Sequence, residues 1–96
     1  MGLLIMQSKT TIVNVRDSPF DVYIGRLSKW GNPFKIGIDG TREEVISKYE
    51  AHIMTHPTLI NELSELVGKT LGCHCKPLPC HGDILVRMIE DKIWLK

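Results

Sequence analysis

A cluster of cysteine and histidine residues lies between two segments of regular hydrophobic pattern, and this arrangement most constrains the fold. All three cysteines and two of the four histidines fall between Cys73 and His81. Residues 69–73 have the pattern of a short strand, and residues 84–89 carry apolar side chains at helical spacing. α/β proteins place their binding sites at such strand-to-helix loops. The cluster therefore predicts an α/β fold with a functional loop that ends at Asp83.

The composition is that of one small globular domain. The chain has 96 residues, of which 43% are hydrophobic and 24% are charged, and these values argue against global disorder. Three cysteines are an odd number, which favours a reducing cytoplasm over a secreted disulfide scaffold. No run approaches the roughly eighteen apolar residues of a membrane helix, so no membrane association is expected. We expect a flexible tail over residues 1–8 and a single α/β domain over residues 9–96.

Four segments have the character of short strands. They are residues 10–15, 22–24, 35–38 and 69–73, and the first of them is rich in β-branched side chains. Strands that alternate with helical segments favour a parallel sheet. We therefore predict a short, largely parallel or mixed central sheet with about three helices.

The first helix has the clearest local signature in the chain. Thr41 and Glu44 have the spacing of a capping box, in which each side chain satisfies a backbone N–H of the other residue. Val45, Ile46, Tyr49, Ile53 and Met54 then fall on one face. The helix is expected to end near Thr55, because Pro57 disfavours a helical conformation at His56.

The two remaining helices are predicted from weaker signals. Thr58 is the expected N-cap of the second helix, and Gly68 is the expected left-handed residue after its end. The third helix is expected to run from about Pro79 to Asp91. The tail of residues 93–96 is predicted to add a strand or to dock on the core.

Five ordered motifs resemble an uncharacterised protein family. They are Val13-Asn14-Val15-Arg16, Asp21-Val22-Tyr23-Ile24-Gly25-Arg26, Lys29-Trp30-Gly31-Asn32-Pro33-Phe34, Gly40-Thr41-Arg42-Glu43-Glu44 and the segment from Leu71 through the cysteines to Asp83. Together they cover roughly residues 10–90 and resemble the domain of unknown function numbered 4326, whose members occur in bacteria, archaea and phages. The resemblance implies no particular activity, so function is inferred from the residues themselves.

The cysteine and histidine cluster has three interpretations. In the first, Cys73, Cys75, Cys80 and His81 form the Cys₃His set that zinc favours. Zinc is accordingly the cofactor to consider. Against this interpretation, all four ligands would come from nine consecutive residues, whereas structural zinc sites usually take ligand pairs from separate segments.

In the second interpretation Cys80 is a reactive thiol. It lies at the expected start of the third helix, where unpaired N–H groups and the helix dipole stabilise a thiolate. His81 or His74 would carry the proton, and Asp83 would complete the catalytic set. Asp83 also has the spacing of a capping residue, which would oppose a thiolate. In the third interpretation the cysteines are small core residues.

A basic and aromatic segment supplies a second candidate site. Arg16, Arg26, Lys29 and Lys35 are interleaved with Tyr23, Trp30, Asn32 and Phe34. Arginine binds phosphate in a bidentate manner, and an aromatic ring can stack on a base. Arg16 and Arg26 each follow a predicted strand. If the strands are parallel, both arginines share one sheet edge with the cysteine loop. We assign Asn14, Arg16, Arg26, Lys29, Trp30 and Asn32 to a ligand site there.

The leading prediction is an enzyme or sensor that handles a nucleotide or another phosphorylated small molecule, with a transferase or hydrolase reaction favoured. Cys80, His81 and Asp83 would line its reacting end. One alternative is a zinc-containing module that binds nucleic acid, although a net charge of +1 gives little non-specific attraction. Another is a non-enzymatic phage or host interaction protein, with Ile93-Trp94-Leu95 as its contact patch.

Overall fold

The computed structural model describes residues 9–95. Three strands and three α-helices follow in the order β1 (Thr11–Asn14), β2 (Val22–Tyr23), α1 (Arg42–Met54), α2 (Pro57–Glu62), β3 (Thr70–Cys73) and α3 (His81–Glu90). Short 3₁₀ helices lie at Leu63–Leu66 and Ile93–Leu95. The predicted N-terminal tail, residues 1–8, lies outside the described residues. No helix within residues 9–95 is long and apolar enough to cross a membrane.

The three strands form one parallel sheet in the order β1-β3-β2. Thr11 is opposite Thr70 in the first pair, and Val22 is opposite Leu71 in the second. This topology confirms the predicted α/β class with a largely parallel sheet. Because the strands are parallel, the carboxyl ends of β2 and β3 meet at one edge.

The connection between β1 and β2 explains why a residue without a side chain, Gly72, lies in the central strand β3. Residues 15–21 return across β3 to reach the far side of the sheet, and a Cβ atom on Gly72 would lie 2.6 Å from the Phe20 ring. Asp21 fixes the end of this crossing, since its backbone N–H donates to the carbonyl of Thr70 and its carboxylate accepts from the N–H of that residue. The absence of a side chain at Gly72 allows the loop to pass this close.

The core lies between the sheet and the helices. α1 contributes Val45, Tyr49 and Ile53, which are all buried. From α3, the buried apolar side chains are Ile84, Leu85, Met88 and Ile89. Met54 was predicted on the apolar face of α1, but half of its surface is exposed because the helix ends there.

Trp30 is a core residue. Only 2% of its surface is exposed, and its backbone carbonyl accepts a hydrogen bond of 2.6 Å from the Tyr49 hydroxyl. Among the buried side-chain nitrogen and oxygen atoms of residues 9–95, its indole nitrogen is the one that has no hydrogen-bond partner.

Two capping boxes define the starts of the long helices. At α1 the Thr41 hydroxyl accepts from the Glu44 N–H, and the Glu44 carboxylate accepts from the Thr41 N–H at 2.8 Å. At α3 the Cys80 thiol takes the N-cap position, and the Asp83 carboxylate accepts from the Cys80 N–H at 3.0 Å. The first box confirms the predicted helix start, and the second confirms the capping role considered for Asp83.

The predicted strand over residues 35–38 is wrong. This segment forms a turn, in which the Asp39 carboxylate accepts from the Lys35 N–H and the Gly37 N–H donates to the Gly40 carbonyl. Gly37 has φ +89°, a conformation that ends any extended run. Residues 35–38 have the β propensity of a strand. The turn, however, leaves this segment with a single isolated β-bridge, between Ile36 and Gly40, in place of a strand pairing.

Two further predictions of element ends are corrected. α2 begins at Pro57 rather than after Thr58, because proline is favoured at the first helical position. The tail at residues 93–95 is a 3₁₀ helix, and Ile93 and Trp94 pack against the core. The tail was predicted either to add a strand or to dock on the core, and docking on the core is observed.

Candidate functional site

A cleft of about 510 Å³ opens at the carboxyl ends of β2 and β3. Its lining comes from the end of β2, the loop after it, α1 and the cysteine loop. The lining residues are Tyr23, Gly25, Arg26, Asn32, Phe34, Ile36, Val45, His74, Cys75 and His81. We call this space the main cleft. Its volume is in the range of small-molecule sites, and its described lining contains Arg26 and no carboxylate.

The cysteine loop is fixed in position by side chains from other elements. The Asn14 amide, at the end of β1, donates to the Lys76 carbonyl at 2.8 Å. The guanidinium of Arg42, at the start of α1, donates to the Pro79 carbonyl at 3.0 Å. These contacts hold the chain between β3 and α3 in one conformation. Asn14, predicted to bind ligand, is thus placed as a support of the loop.

His81 is the buried histidine of the main cleft. Its Nε2 lies 2.7 Å from the Ile24 carbonyl, and because a carbonyl oxygen only accepts, Nε2 carries the proton. The ring packs edge-on against Tyr49 with centroids 4.9 Å apart. Burial lowers the pKa of His81, although the bond to Ile24 opposes the shift. At neutral pH the imidazole is therefore uncharged, and Nδ1, which makes no hydrogen bond within residues 9–95, is a proton acceptor.

Cys80 does not have the environment of a reactive thiol. It is 2% exposed, and its Sγ lies 3.4 Å from the Sγ of Cys73, which is also buried. Burial, together with the neighbouring Cys73, raises the pKa of Cys80 to about 12, against a smaller lowering by the Gly82 N–H. The predicted nucleophilic role of Cys80 therefore finds no support in this geometry, and burial outweighs the helix N-terminus.

The predicted Cys₃His zinc set is not assembled. Within the described part of the chain, no group of three or more His, Cys, Asp or Glu side chains is arranged to hold a metal ion. Cys75 lines the main cleft, whereas Cys73 and Cys80 are buried in the core beside one another. The Nε2 of His81 is directed at a backbone carbonyl. The residues present therefore do not fit a tetrahedral zinc ion.

Asp83 lies away from the main cleft. Its carboxylate caps α3 and pairs with the Lys76 ammonium at 2.6 Å on another surface groove. The predicted grouping of Asp83 with His81 as catalytic partners is thus not formed, since successive positions of a helix start point in different directions.

The two strand-end arginines are placed differently. Arg26 follows β2 and lines the main cleft, and no ion pair or hydrogen bond engages its side chain within residues 9–95. Arg16 follows β1 on the opposite side of β3 and does not line the cleft. Its described contact is the backbone N–H, which donates to Asn14 Oδ1 at 2.9 Å. The predicted convergence on the cysteine loop therefore holds for Arg26 and not for Arg16.

The other predicted ligand residues have structural contacts. The Lys29 ammonium pairs with Glu62 at 3.1 Å and with Glu65 at 2.7 Å, and its hydrogen bond to the Glu65 carboxylate is the main reason that its pKa is raised. Trp30 is buried, so its ring is not available for stacking. Asn32 lines the main cleft, but its amide donates to the Val45 carbonyl and its Oδ1 accepts from Phe34 N–H.

Phe34, His74 and Cys75 are among the cleft residues that were not assigned as ligand contacts. Phe34 provides an aromatic wall, and its ring is also contacted by Lys48 at 5.8 Å. His74 lies at the mouth, where its Nε2 is 3.3 Å from the Tyr23 hydroxyl. Cys75 was considered only as a metal ligand. Both His74 and Cys75 line the cleft, so the alternation of side chains along a strand gives no signal for them.

These features define a small single-domain α/β protein with a cleft at the carboxyl ends of a parallel sheet. The chain belongs to the family described as Domain of unknown function (DUF4326), whose model matches residues 7–91. This assignment confirms the resemblance found in the sequence motifs.

Similar proteins come from viruses. One is the uncharacterized 12.4 kDa protein in the nrdA-td intergenic region of Enterobacteria phage T4, which is 40% identical over 84 residues and is matched over 82% of this chain and 76% of its own length. Another is an uncharacterized protein of Acanthamoeba polyphaga mimivirus, which is 37% identical over 88 residues, with 73% of this chain and 67% of that protein covered. No solved structure matches the chain significantly.

Proposed function

We propose that the protein is an enzyme that binds a nucleoside phosphate in the main cleft and acts on it by hydrolysis or group transfer. The observation that carries the proposal is the pairing of Arg26 with His81 in one cleft without a carboxylate in its described lining. Arginine supplies a fixed fork of donors for phosphate, and a neutral imidazole supplies a base. Each side chain is also placed there by a different element.

The ligand is oriented by the two ends of the cleft. Arg26 holds the phosphate at the end of β2. Phe34, which also lines the cleft, offers a ring against which the nucleobase stacks. Such stacking contributes about 1–3 kcal/mol per base in other proteins and tolerates different bases. The cleft therefore selects a planar ring system joined to an anion.

His81 acts as the general base of this proposal. Its Nε2–H is held by Ile24, which leaves the Nδ1 lone pair for the reacting group. Nδ1 removes a proton from a water or hydroxyl group while the oxygen of that group attacks the phosphorus of the bound phosphate. The P–O bond to the nucleoside 5′ oxygen breaks, the 5′ oxygen leaves with a proton taken from solvent, and Nδ1 releases its proton to solvent. The lowered pKa of His81 keeps Nδ1 unprotonated at neutral pH. General-base catalysis of this kind contributes roughly 10²–10⁴-fold in rate.

Ligand binding by Arg26→Ala tests the proposal. Isothermal titration with the four common ribonucleoside 5′-monophosphates is expected to detect binding by the wild-type protein. Loss of a charge-assisted contact to phosphate is expected to weaken it by about tenfold to a hundredfold. Arg16→Ala is the matched control, because Arg16 also follows a strand but does not line the cleft. Binding of none of the four, or equal affinity in Arg26→Ala and wild type, would contradict the proposal.

A further inference from the structure

A second, smaller hollow adjoins the main cleft on the far side of Arg26. Its volume is about 270 Å³. The residues that line it are Arg26, Leu27, Ser28, Gly31, Asn32, Pro33 and Lys35. We call it the side hollow. Arg26 and Asn32 line both spaces, so the two spaces meet at these residues.

The side hollow brings two basic side chains together without a neutralising acid. Neither Arg26 nor Lys35 has an ion-pair or hydrogen-bond partner for its side chain within residues 9–95. Lys29, in the same loop as Arg26, and Lys48, which donates to the Asp39 carbonyl, do have such partners. No carboxylate is among the described lining residues, although the Asp39 carboxylate accepts from the backbone N–H of Lys35. The side chains of Arg26 and Lys35 therefore carry positive charge that no ion pair within residues 9–95 engages.

The loop that carries Arg26 is tightly folded. The Ser28 hydroxyl donates to the Gly25 carbonyl at 2.6 Å, and the Gly31 N–H donates to the Ser28 carbonyl at 3.0 Å. A Cβ atom on Gly31 would lie 2.6 Å from the Gly25 carbonyl oxygen, so the two ends of the loop are in direct contact. The position of Arg26 between the two spaces is thus set by the backbone.

From this geometry we infer that the preferred ligand carries a second phosphate, as in a nucleoside 5′-diphosphate. The inference rests on the proposed function. The nucleoside occupies the main cleft, the first phosphate lies at Arg26, and the second lies in the side hollow between Arg26 and Lys35. A monophosphate leaves Lys35 without a partner, whereas the diphosphate engages it with a charge-assisted hydrogen bond.

The test compares the affinity ratio of diphosphate to monophosphate in Lys35→Gln and wild type. Isothermal titration is run with each ribonucleoside 5′-diphosphate and the matching monophosphate. In the wild-type protein the diphosphate is expected to bind about tenfold more tightly, and Lys35→Gln is expected to abolish most of this preference. Lys69→Gln is the matched control, since it removes the same charge before β3, at the opposite sheet edge, and is expected to leave the ratio unchanged.

The outcomes separate the inference from the proposal on which it rests. Equal affinity for the two nucleotides in the wild-type protein overturns the inference and leaves the proposed function standing. The same holds if Lys35→Gln and Lys69→Gln keep the full wild-type preference. Failure of every mono- and diphosphate to bind overturns both. A preference for the diphosphate that Lys35→Gln removes and Lys69→Gln retains supports the inference.

Discussion

Cysteines 73, 75 and 80 are close in sequence but have different surroundings. Cys73 and Cys80 are 1% and 2% exposed, with their sulfur atoms 3.4 Å apart, and Cys75 is half-buried on the wall of the main cleft. Thiolates are the reactive form, and desolvation raises the pKa of a buried thiol. Accessibility therefore favours reaction at Cys75, and the raised pKa of Cys80 disfavours reaction there.

Alkylation is expected to follow this order. Brief treatment of the folded protein with iodoacetamide at pH 7.5 should label Cys75 first, while Cys80, with a pKa raised to about 12, stays unlabelled. Peptide mapping by mass spectrometry identifies the labelled residue. Cys75→Ser is the control, and in this variant the early label should disappear. Labelling of Cys80 at the rate of Cys75 would contradict the described burial.

At the scale of elements, the starts of α1 and α3 are built by the same local device. In each helix an acid three residues after the N-cap accepts from the backbone N–H of the N-cap residue. The α3 start matters more for the site, because His81 directly follows the N-cap. The capping acid Asp83 therefore positions His81 through the backbone while facing another surface.

Asp83→Ala is expected to destabilise the protein by about 1 kcal/mol, since it removes the capping bond and the ion pair with Lys76. Urea unfolding measures the change. Asp91→Ala is a matched control on the same helix, because Asp91 lies at the C-cap and makes no side-chain hydrogen bond within residues 9–95. Equal free energies of unfolding for Asp83→Ala and Asp91→Ala would contradict a stabilising role of the capping box.

At the scale of the whole molecule, the burial of His81 links the site to global stability. Burial lowers the pKa of His81 in the folded protein, so below about pH 6.5 the unfolded chain binds more protons than the native state. The buried, neutral His81 therefore contributes stability that is fully present above the pKa of this residue in the unfolded chain. That contribution is lost as the pH falls through the pKa of His81 in the folded protein. The site is therefore expected to make the protein sensitive to mild acid.

We expect the free energy of unfolding to fall between pH 7 and pH 5, and to fall less steeply in His81→Gln. Urea titrations at several pH values measure the slope. His52→Gln is the control, because the pKa of His52 is also lowered by burial but this side chain is only half-buried. Its effect on the slope should be smaller. A wild-type curve that is flat across this range would contradict the assignment of His81 as a buried neutral histidine.

The sequence by itself determined the features that depend on near neighbours. The start of α1 was predicted from Thr41 and Glu44, and the capping role of Asp83 from its spacing to Cys80, because these contacts span three residues. The three strands found within residues 9–95 were predicted from their β-branched and apolar patterns. The segment at 35–38 has the same propensity and is not a strand, since pairing requires a partner that propensity does not specify.

Only the tertiary structure decided which side chains share a site. Arg16 and Arg26 both follow strands, but the order β1-β3-β2 puts β3 between them, and the described cleft forms on the β2 side. Burial then separated Cys75 from Cys80 and placed Trp30 in the core. Strand order and burial depend on contacts between residues far apart in the chain. A pattern read along a single sequence therefore carries little information about them.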